Sequence, residues 1–286
     1  MQDLSEEQLP RASTDAIARY YDANTERFLK LGGSGDAAAI HRAIWAPEVR
    51  TRSHAFVYLN ALVANAISPI IREDAAALHL LDLGCGVGGT ATWLAQALGI
   101  RVTGITLSSA QVSVAQERAL RLGVADRVKF LLGDFSAMPD LPQVQAACAI
   151  ESFVHAASAP VFFAMAARQI EAGGRLVICD DFLNPPLGPQ AQRWTTRFAT
   201  GWHLNNLIPT QNVIEAALTA GFRLVEERDL SPWIKPFNPV LLWSVTTLTR
   251  LPLKWAYWQN LSGGTALQVC LKNGWTVYRA LIFERI

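Results

Sequence analysis

The strongest constraint on the fold is a glycine-rich stretch at residues 80–89, which reads LLDLGCGVGG. Apolar residues flank its acid, Asp82, four glycines follow within six residues, and an apolar pattern at helical spacing resumes from Thr90. This order predicts a buried strand, a tight turn and the start of a helix. Glycine lets such a turn adopt a positive φ and lets a ligand approach without meeting a Cβ, while the first N–H groups of the helix are free to donate. The stretch is therefore predicted to bind a ligand.

The charge around this turn indicates which kind of ligand fits. Gly84, Gly86 and Gly89 satisfy the G-x-G-x-x-G pattern of dinucleotide sites. However, Asp82 would repel a pyrophosphate, and residues 104–108 carry no acid where a dinucleotide site needs one, about 20 residues further on. A cationic ligand therefore fits better than an anionic one. S-adenosylmethionine (SAM) carries both an ammonium and a sulfonium group.

Two motifs carry a family resemblance. The pattern D-x-G-x-G-x-G at residues 82–88 resembles the first motif of class I SAM-dependent methyltransferases. GITLSSAQ at residues 104–111 resembles the second-strand motif of the sterol, tocopherol and cyclopropane-synthase branch. The resemblance implies that Asp134 accepts a hydrogen bond from the adenine amino group and that Thr106 or Ser108 contacts the ribose. The cofactor-binding residues that it implies are Tyr20, Asp82, Gly84, Cys85, Gly86, Gly88, Thr106, Leu107, Ser108, Gln111, Asp134 and Phe135.

Strands and helices are predicted to alternate along the chain, as in a parallel, doubly wound sheet. The expected fold class is α/β, a Rossmann-like seven-stranded methyltransferase sheet with an N-terminal helical cap at 1–72, a core at 73–286 and an aromatic-rich insertion at about 232–264. Strands are predicted at 101–105, 128–132, 146–151, 175–180, 222–226 and 278–283, the last antiparallel, and helices at 13–31, 53–71, 109–122, 160–171, 213–220 and 265–273.

Composition narrows the cellular context. The 286 residues carry 25 Lys and Arg against 24 Asp and Glu, so no basic field attracts nucleic acid. The 4 cysteines show no C-x-x-C spacing and are expected to be reduced. Residues 1–11 do not resemble a signal peptide, and the apolar segment 236–249 is short of the ~20 residues of a membrane span. We expect a cytoplasmic protein that is not an integral membrane protein and that is compatible with homo-oligomers.

The end of the fourth predicted strand carries the candidate catalytic groups. Glu151 follows an apolar run, so it is expected at the carboxyl edge of the sheet, partly desolvated and available as a base. With His155, it resembles the Glu-x-x-x-His/Tyr pattern of sterol and isoprenyl C-methyltransferases. Tyr21 lies in a YYDxxT motif that resembles the opening helix of sterol C-methyltransferases. The alternative interpretations are that Glu151 bonds only backbone or cofactor and that His155 is a satisfied pocket histidine.

Aromatic residues in the insertion favour an alkene as substrate, because ring faces stabilise the carbocation that methylation of an alkene creates. The chain most resembles bacterial geranyl and farnesyl diphosphate C-methyltransferases and enzymes of the pre-sodorifen synthase type, in which cyclisation follows. That resemblance implies cationic anchors, with Lys235 as one candidate, and leaves room for Mg²⁺ beside Asn24. A sterol-like lipid, a quinone or a terpenoid indole alkaloid is the alternative substrate, and a non-catalytic scaffold is the third hypothesis. The candidate substrate-binding residues are Asn24, His41, Arg42, Trp45, Arg50, Arg52, Arg193, Arg197 and Trp202.

Overall fold

The computed structural model describes residues 12–31, 40–138, 141–248 and 256–286. All of the candidate site residues lie within these ranges. Trp255 of the predicted aromatic insertion lies outside the described residues, and the side chains of Trp243 and Tyr257 also lie outside the description.

A seven-stranded sheet forms the centre of the protein, with the strand order β3-β2-β1-β4-β5-β7-β6. Strands β1 to β5 pair in parallel, and β7 runs antiparallel to both of its neighbours. The predicted α/β fold with an antiparallel last strand is confirmed. The strands are β1 (His79–Leu83), β2 (Arg101–Thr106), β3 (Val128–Leu132), β4 (Val144–Ile150), β5 (Ile170–Leu183), β6 (Phe222–Asp229) and β7 (Thr276–Arg285).

Several helices begin where the sequence offers a capping group or a proline. Thr51, Ser108 and Ser158 each accept a hydrogen bond from a backbone N–H of the helix that follows. The helices are α1 (Thr14–Leu31), α2 (Arg52–Ile67), α3 (Gly89–Leu98), α4 (Ser109–Arg121), α5 (Ala159–Gln169), α6 (Pro189–Trp202), α7 (Thr210–Thr219), α8 (Pro239–Leu248) and α9 (Ala256–Lys272).

Three helix boundaries differ from the prediction by more than two residues. Helix α2 ends at Ile67 instead of residue 71, because the Ser-Pro sequence at 68–69 begins a 3-10 turn. Helix α7 begins at Thr210, three residues before the predicted residue 213, and Pro209 stands at the cap in extended conformation. Helix α9 begins nine residues before the predicted residue 265.

Two apolar layers cover the faces of the sheet. On one face, α2, α3 and α4 pack on β1, β2 and β4, and α2 contributes the buried Leu59, Val63 and Ile67. On the other face, α5 and α7 enclose a group of edge-on phenylalanines that includes Phe153, Phe162 and Phe163. The predicted boundary between an N-terminal cap at 1–72 and a core at 73–286 stays a prediction. Helix α2, which belongs to the predicted cap, packs its buried side chains into the same apolar layer as the sheet.

The insertion before β7 packs on α6. A Cβ on Gly201 of α6 would lie 2.6 Å from the Cα of Gly263 in α9, so only glycine allows this close helix crossing. Trp202 covers Gly263 and Gly264 and donates from its indole N–H to the carbonyl of Asn260, at 3.1 Å. Across the described residues, we find no helix whose length and apolar character would let it cross a membrane.

Candidate active site

A cavity of about 250 Å³ opens at the carboxyl ends of the parallel strands, under α1 and beside α6 and α9. Ligands bind at this edge in open α/β sheets. The cavity also includes residues that the sequence analysis did not select, among them Asp180, Asp181, Phe198 and Asn260. The predicted site residues that line it are Tyr20, Tyr21, His41, Arg42, Asp82, Gly84, Cys85, Gly86, Thr106, Leu107, Gln111, Phe135, Glu151, His155 and Trp202.

The glycine turn after β1 forms one wall of the cavity. Gly84 has a φ of 87° and Gly88 a φ of 75°, in the left-handed region that favours glycine. A Cβ on Gly84 would lie 2.4 Å from the Cβ of Ser152, which closes off any side chain there. At Gly86 the nearest side-chain atom to a built Cβ is 3.4 Å away, on Ile40. The turn thus exposes bare backbone to the cavity, as the sequence analysis expected.

Asp82 is buried beside this turn, with 2 % of its surface exposed. Its Oδ1 accepts a weak hydrogen bond from the thiol of Cys148, at 3.7 Å, and its Oδ2 has no partner among the described residues. Burial raises the pKa of Asp82 to about 7. An orphaned carboxylate oxygen beside open glycine backbone suits the ammonium group of SAM, so the residues present fit this cofactor.

The predicted ribose and adenine contacts lie at the ends of β2 and β3. The Thr106 hydroxyl donates to Oε1 of Gln111, at 2.6 Å, at the edge of the cavity. Ser108 and Asp134 do not line the cavity. Instead, the Ser108 hydroxyl donates to Asp22, and the Thr14 hydroxyl donates to Asp134 at 3.1 Å, so that both tie α1 to the sheet. Their role in cofactor binding stays a prediction.

Glu151 leaves the end of β4 with a φ of 51°, an uncommon conformation for a residue with a side chain. Its Oε1 accepts hydrogen bonds from the backbone N–H and from the Nε of Arg42, both at 3.0 Å. Burial acts to raise the pKa of Glu151, but Arg42 and then His41 outweigh it and hold the pKa below its usual value. Glu151 is therefore an anion held by an arginine, which makes it a weaker base than the sequence analysis expected.

Arg42 is occupied by carboxylates of the protein itself. Its Nη1 donates to Oδ1 of Asp181 at 3.0 Å, its Nη2 donates to Oδ2 of Asp181, and its guanidinium lies 4.3 Å from the ring centre of Tyr278. The prediction made Arg42 a substrate-binding residue, whereas this geometry makes it a bridge between Glu151 and Asp181. The sequence signal that could have indicated the bridge is the acid pair at the end of β5, Asp180 and Asp181.

Tyr21 and His155 form a pair above the cavity. The Nδ1 of His155 lies 3.2 Å from the carbonyl oxygen of His203, and since a carbonyl can only accept, Nδ1 carries the proton. The Nε2 then accepts from the Tyr21 hydroxyl, at 2.8 Å. Burial lowers the pKa of His155 to about 4, so the ring is neutral at neutral pH. The adjacent turn is fixed by Asp180, which accepts from the backbone N–H groups of Val154 and Asp181.

His41 is the second histidine of the cavity. Its Nδ1 lies 3.1 Å from the carbonyl oxygen of Arg42 and must donate to it by the same argument. Its Nε2 is shielded from solvent and has no hydrogen-bond partner in the part of the chain that is described. Burial lowers the pKa of His41, although Glu151 acts in the opposite direction. His41 is therefore a neutral ring with an unused acceptor.

The remaining predicted substrate-binding residues do not line the cavity. Asn24 is buried and donates to the carbonyl of Tyr20 at 2.8 Å, and the ring of Trp45 lies 3.1 Å below the ammonium of Lys235. The Nε of Arg197 donates to the hydroxyl of Ser262 at 2.8 Å. The other predicted anchors, Arg50, Arg52 and Arg193, are exposed on the solvent side of the segments around α2 and α6.

The charge balance of the cavity is acidic. Four carboxylic acids line it against one arginine, which is paired with two of them. Burial raises the pKa values of Asp82, Asp180 and Asp181, although Arg42 counteracts burial at Asp181. Such a cavity accepts positive charge by releasing protons. Within the described ranges, no group of three or more His, Cys, Asp or Glu side chains could hold a metal ion.

Comparison with known proteins identifies the family to which the chain is similar. The sequence model of the mycolic acid cyclopropane synthetase family matches residues 75–232. The chain is 30% identical over 175 residues to the sterol 24-C-methyltransferase ERG6B of Gibberella zeae, covering 56% of this chain and 45% of that protein. It is 32% identical over 186 residues to the 27-O-demethylrifamycin SV methyltransferase of Amycolatopsis mediterranei, covering 64% of this chain and 65% of that protein. The alignments thus span less than two thirds of either relative's own length.

Among solved structures, a geranyl diphosphate methyltransferase in complex with GPP and sinefungin superposes with a TM-score of 0.76. The superposition covers 96% of this chain and 99% of that one at 21% identity, so it establishes the fold alone. The expected resemblance to class I SAM-dependent methyltransferases is confirmed by the family match and by this fold. Because the family model covers more than half of the sequence, the chain belongs to the mycolic acid cyclopropane synthetase family.

Proposed function

We propose that the protein is a SAM-dependent C-methyltransferase that adds a methyl group to an alkene of a lipophilic, isoprenoid substrate. The observation that carries the proposal is the arginine-held carboxylate of Glu151 at the end of β4, in a cavity with aromatic walls. Methylation of an alkene leaves a carbocation, and an anion that stays ionised is suited to stabilise that charge. The family match and the sterol 24-C-methyltransferase relative support C-methylation.

Different residues of the site have different roles in the proposed reaction. SAM supplies the methyl group from its sulfonium. Asp82 and the glycine turn would bind the amino-acid end of the cofactor, since the buried Oδ2 of Asp82 has no hydrogen-bond partner among the described residues. The Oε1 of Glu151 is held by Arg42, and its other oxygen has no donor among the described residues, which leaves it available to the reacting carbon. The rings of Tyr20, Tyr21 and other wall residues exclude water and add quadrupole stabilisation of about 0.5–2 kcal/mol each.

The head group of the substrate is the finer part of the proposal. Geranyl or farnesyl diphosphate is the first candidate, since the structural neighbour is a geranyl diphosphate methyltransferase in complex with GPP. However, the lining of the described cavity is acidic, and Arg50, Arg52 and Arg193 lie outside it. Among the described residues, no group of three or more His, Cys, Asp or Glu side chains could hold a metal ion, so we derive no step through Mg²⁺. A diphosphate would have to lie outside the cavity, while a neutral isoprenoid or a sterol-like lipid meets no such constraint.

The test is product analysis with purified protein and SAM. Geranyl diphosphate, farnesyl diphosphate, the corresponding alcohols and a sterol with a side-chain alkene are compared with and without Mg²⁺, and products are identified by mass. A gain of one methylene unit on one substrate is the expected result, and the ring count of that product shows whether cyclisation follows. A cytoplasmic location and a homo-oligomeric state belong to this proposal and are tested by fractionation and light scattering.

A Glu151→Gln variant tests the mechanism on the accepted substrate. We expect methyl transfer to fall by about 10²-fold or more, because the anion that faces the developing charge is lost. Binding of SAM, measured by calorimetry, should be unchanged. Wild-type rates in this variant would refute the role of Glu151, and the absence of C-methylated product from every alkene with the wild-type protein would refute the proposed reaction.

O-methylation of a lipophilic alcohol or phenol is a second candidate function. The observation that favours it is the presence of two neutral histidines in the cavity, His41 and His155, since a neutral imidazole can remove a hydroxyl proton. The 27-O-demethylrifamycin SV methyltransferase relative supports the same reaction class. Quinols and hydroxylated polyketides therefore belong in the substrate panel. In this case Glu151→Gln should leave most of the rate intact.

A further inference from the structure

The cavity has two chemically different parts, which lie at different strands of the sheet. Beside β1 and β2 it is lined by the glycine turn and by polar side chains such as Asp82 and Thr106, where the residues fit SAM. Beyond β4 and β5 it is lined by an apolar wall, whose members belong to one buried apolar cluster or pack against it. Such a wall suits the hydrocarbon part of a ligand. The apolar wall consists of Val154, Phe198, Trp202 and Leu204.

Trp202 is the largest side chain of the apolar wall, and its indole is fixed in place. The indole N–H donates to the carbonyl of Asn260 in α9, at 3.1 Å. The ring meets that of Phe198 edge-on, with 5.4 Å between the ring centres. The side-chain amide of Asn260 in turn donates to the Tyr20 hydroxyl. The indole is therefore tied to α9 directly and to α1 through Asn260.

Behind the indole lie two glycines of α9. A Cβ on Gly263 would lie 2.5 Å from the indole Cδ1 of Trp202, and a Cβ on Gly264 would lie 3.6 Å from its Cζ2. Neither of these two described glycines lines the cavity, so the indole separates them from it. A Cβ on Gly201 would lie 2.6 Å from the Cα of Gly263, so the backbones of α6 and α9 already touch and cannot close further. A smaller side chain at residue 202 would therefore leave open space in front of the glycines.

We propose that Trp202 closes the apolar end of the cavity and sets the length of the hydrocarbon chain that the protein accepts. This inference rests on the proposed function, in which the substrate is an isoprenoid. A chain that is one isoprene unit too long meets the indole, which cannot move aside without losing its hydrogen bond to Asn260. In an apolar pocket, one methylene group changes kcat/KM by roughly 10–200-fold. One isoprene unit is therefore more than sufficient to distinguish neighbouring chain lengths.

A Trp202→Ala variant tests the proposal. Wild-type protein and variant are given SAM and geranyl, farnesyl and geranylgeranyl substrates that share one head group, and kcat/KM is measured for each. We expect the ratio of kcat/KM for the next longer chain to kcat/KM for the chain that the wild type prefers to rise by about 10-fold or more. Trp202→Leu, which keeps an apolar side chain, should shift the ratio in the same direction by less and provides a milder variant.

Two matched variants separate a change in cavity length from a general loosening of the fold. Trp194→Ala makes the same truncation on α6, where Trp194 packs against the same apolar cluster but does not line the cavity, and it should keep the chain-length preference of the wild type. In the double variant Trp202→Ala/Gly264→Leu, the new side chain starts beside the position of the lost indole. It should fill the space again and return the ratio toward the wild-type value.

A binding experiment tests the same proposal without methyl transfer. The affinities of geraniol, farnesol and geranylgeraniol are measured by calorimetry in the presence of S-adenosylhomocysteine, and Trp202→Ala should favour the longer alcohols relative to the wild type. Unchanged ratios in both Trp202 variants that still bind SAM would overturn the proposal, and so would an equal shift in Trp194→Ala or no return in the double variant. If the wild-type protein methylates no alkene, the proposed function fails, while the alcohol affinities still decide whether Trp202 limits the chain length.

Discussion

Arg42 is the residue whose removal should cost the most stability for a single side chain near the site. Its guanidinium reaches Glu151 through Nε and Asp181 through both terminal nitrogens, and it covers the ring of Tyr278. The side chains of Arg42 and Asp181 are only 15% and 2% exposed. An Arg42→Met variant keeps much of the aliphatic stem but removes the positive charge. It therefore leaves two buried carboxylates without their common partner.

The magnitude follows from the burial of the ion pair. Breaking a buried pair by removing one partner costs about 3–5 kcal/mol, because the other charge stays desolvated. An exposed pair contributes only about 0–1 kcal/mol. The pair of Arg223 and Glu284 offers a matched control, since its N–O distance is 2.9 Å but Arg223 is 65% exposed. We expect Arg42→Met to lower the free energy of unfolding by about 3–5 kcal/mol and Arg223→Met by less than about 1 kcal/mol.

Urea unfolding at two pH values measures this difference. Without Arg42, the folded-state pKa values of Glu151 and Asp181 should lie above those of the unfolded chain, so the folded variant binds more protons than the unfolded one. Its stability therefore falls as pH rises between the unfolded and folded pKa values. The deficit relative to wild type should be smaller at about pH 5 than at about pH 8. A loss below about 1 kcal/mol at the higher pH would refute the argument that this bridge is buried and irreplaceable.

The site supports three further predictions. Binding of SAM to the wild-type protein should weaken as pH falls through about 7, because the pKa of Asp82 is raised to about 7 and only the ionised form attracts an ammonium. Calorimetry should show this pH dependence in the wild-type protein and its absence in Asp82→Asn. A SAM affinity of the wild-type protein that does not change with pH would contradict the prediction. Gly84→Ala should lower the free energy of unfolding by more than about 3 kcal/mol, since the positive φ and the lack of space for a Cβ both oppose an alanine there. The control Gly99→Ala has a positive φ but open space around the Cβ, and it should lower the free energy of unfolding by about 1 kcal/mol. Equal losses of the two variants in thermal unfolding would show that the lack of space for the Cβ is unimportant. Tyr21→Phe removes the donor to His155 and should cost about 1 kcal/mol of stability, and an unchanged chemical shift of the His155 ring nitrogens by NMR would argue against this hydrogen bond.

The parts of the site that the sequence predicted are those that follow from local rules. Four glycines and an acid within a short stretch are sufficient to predict a strand, a turn and a helix start, and β1, its turn and α3 follow that pattern. An apolar run that ends in an acid places Glu151 at the carboxyl edge of the sheet, where it lines the cavity. In each case the residues that decide the geometry are neighbours in sequence. The parallel pairing of the strands then places their carboxyl ends, and the side chains that follow them, at the same edge of the sheet.

The parts that the sequence did not predict depend on partners far away in the chain. Arg42 and Asp181 are 139 residues apart, and no local pattern shows that one will neutralise the other. The tautomer of His155 depends on a single carbonyl oxygen, that of His203, which lies 48 residues away and which only the folded backbone positions. Composition showed many arginines but could not show which of them is buried. For the same reason, a diphosphate site was easier to expect than an internal bridge.

The electrostatics of the cavity also limit how a substrate can enter it. SAM brings a positive charge, and burial has already raised the pKa of Asp82, so cofactor binding can be coupled to the loss of a proton from this acid. Arg42 is committed to Glu151 and Asp181, and the neutral rings of the two histidines add no cation that an anionic head group could use. A substrate that carries a diphosphate would therefore find no unpaired cation among the described lining residues if its head group entered first. For the substrate proposed above, the alkene end would have to enter this cavity while the head group stays toward its mouth, and the distance between alkene and head group would then select the substrate.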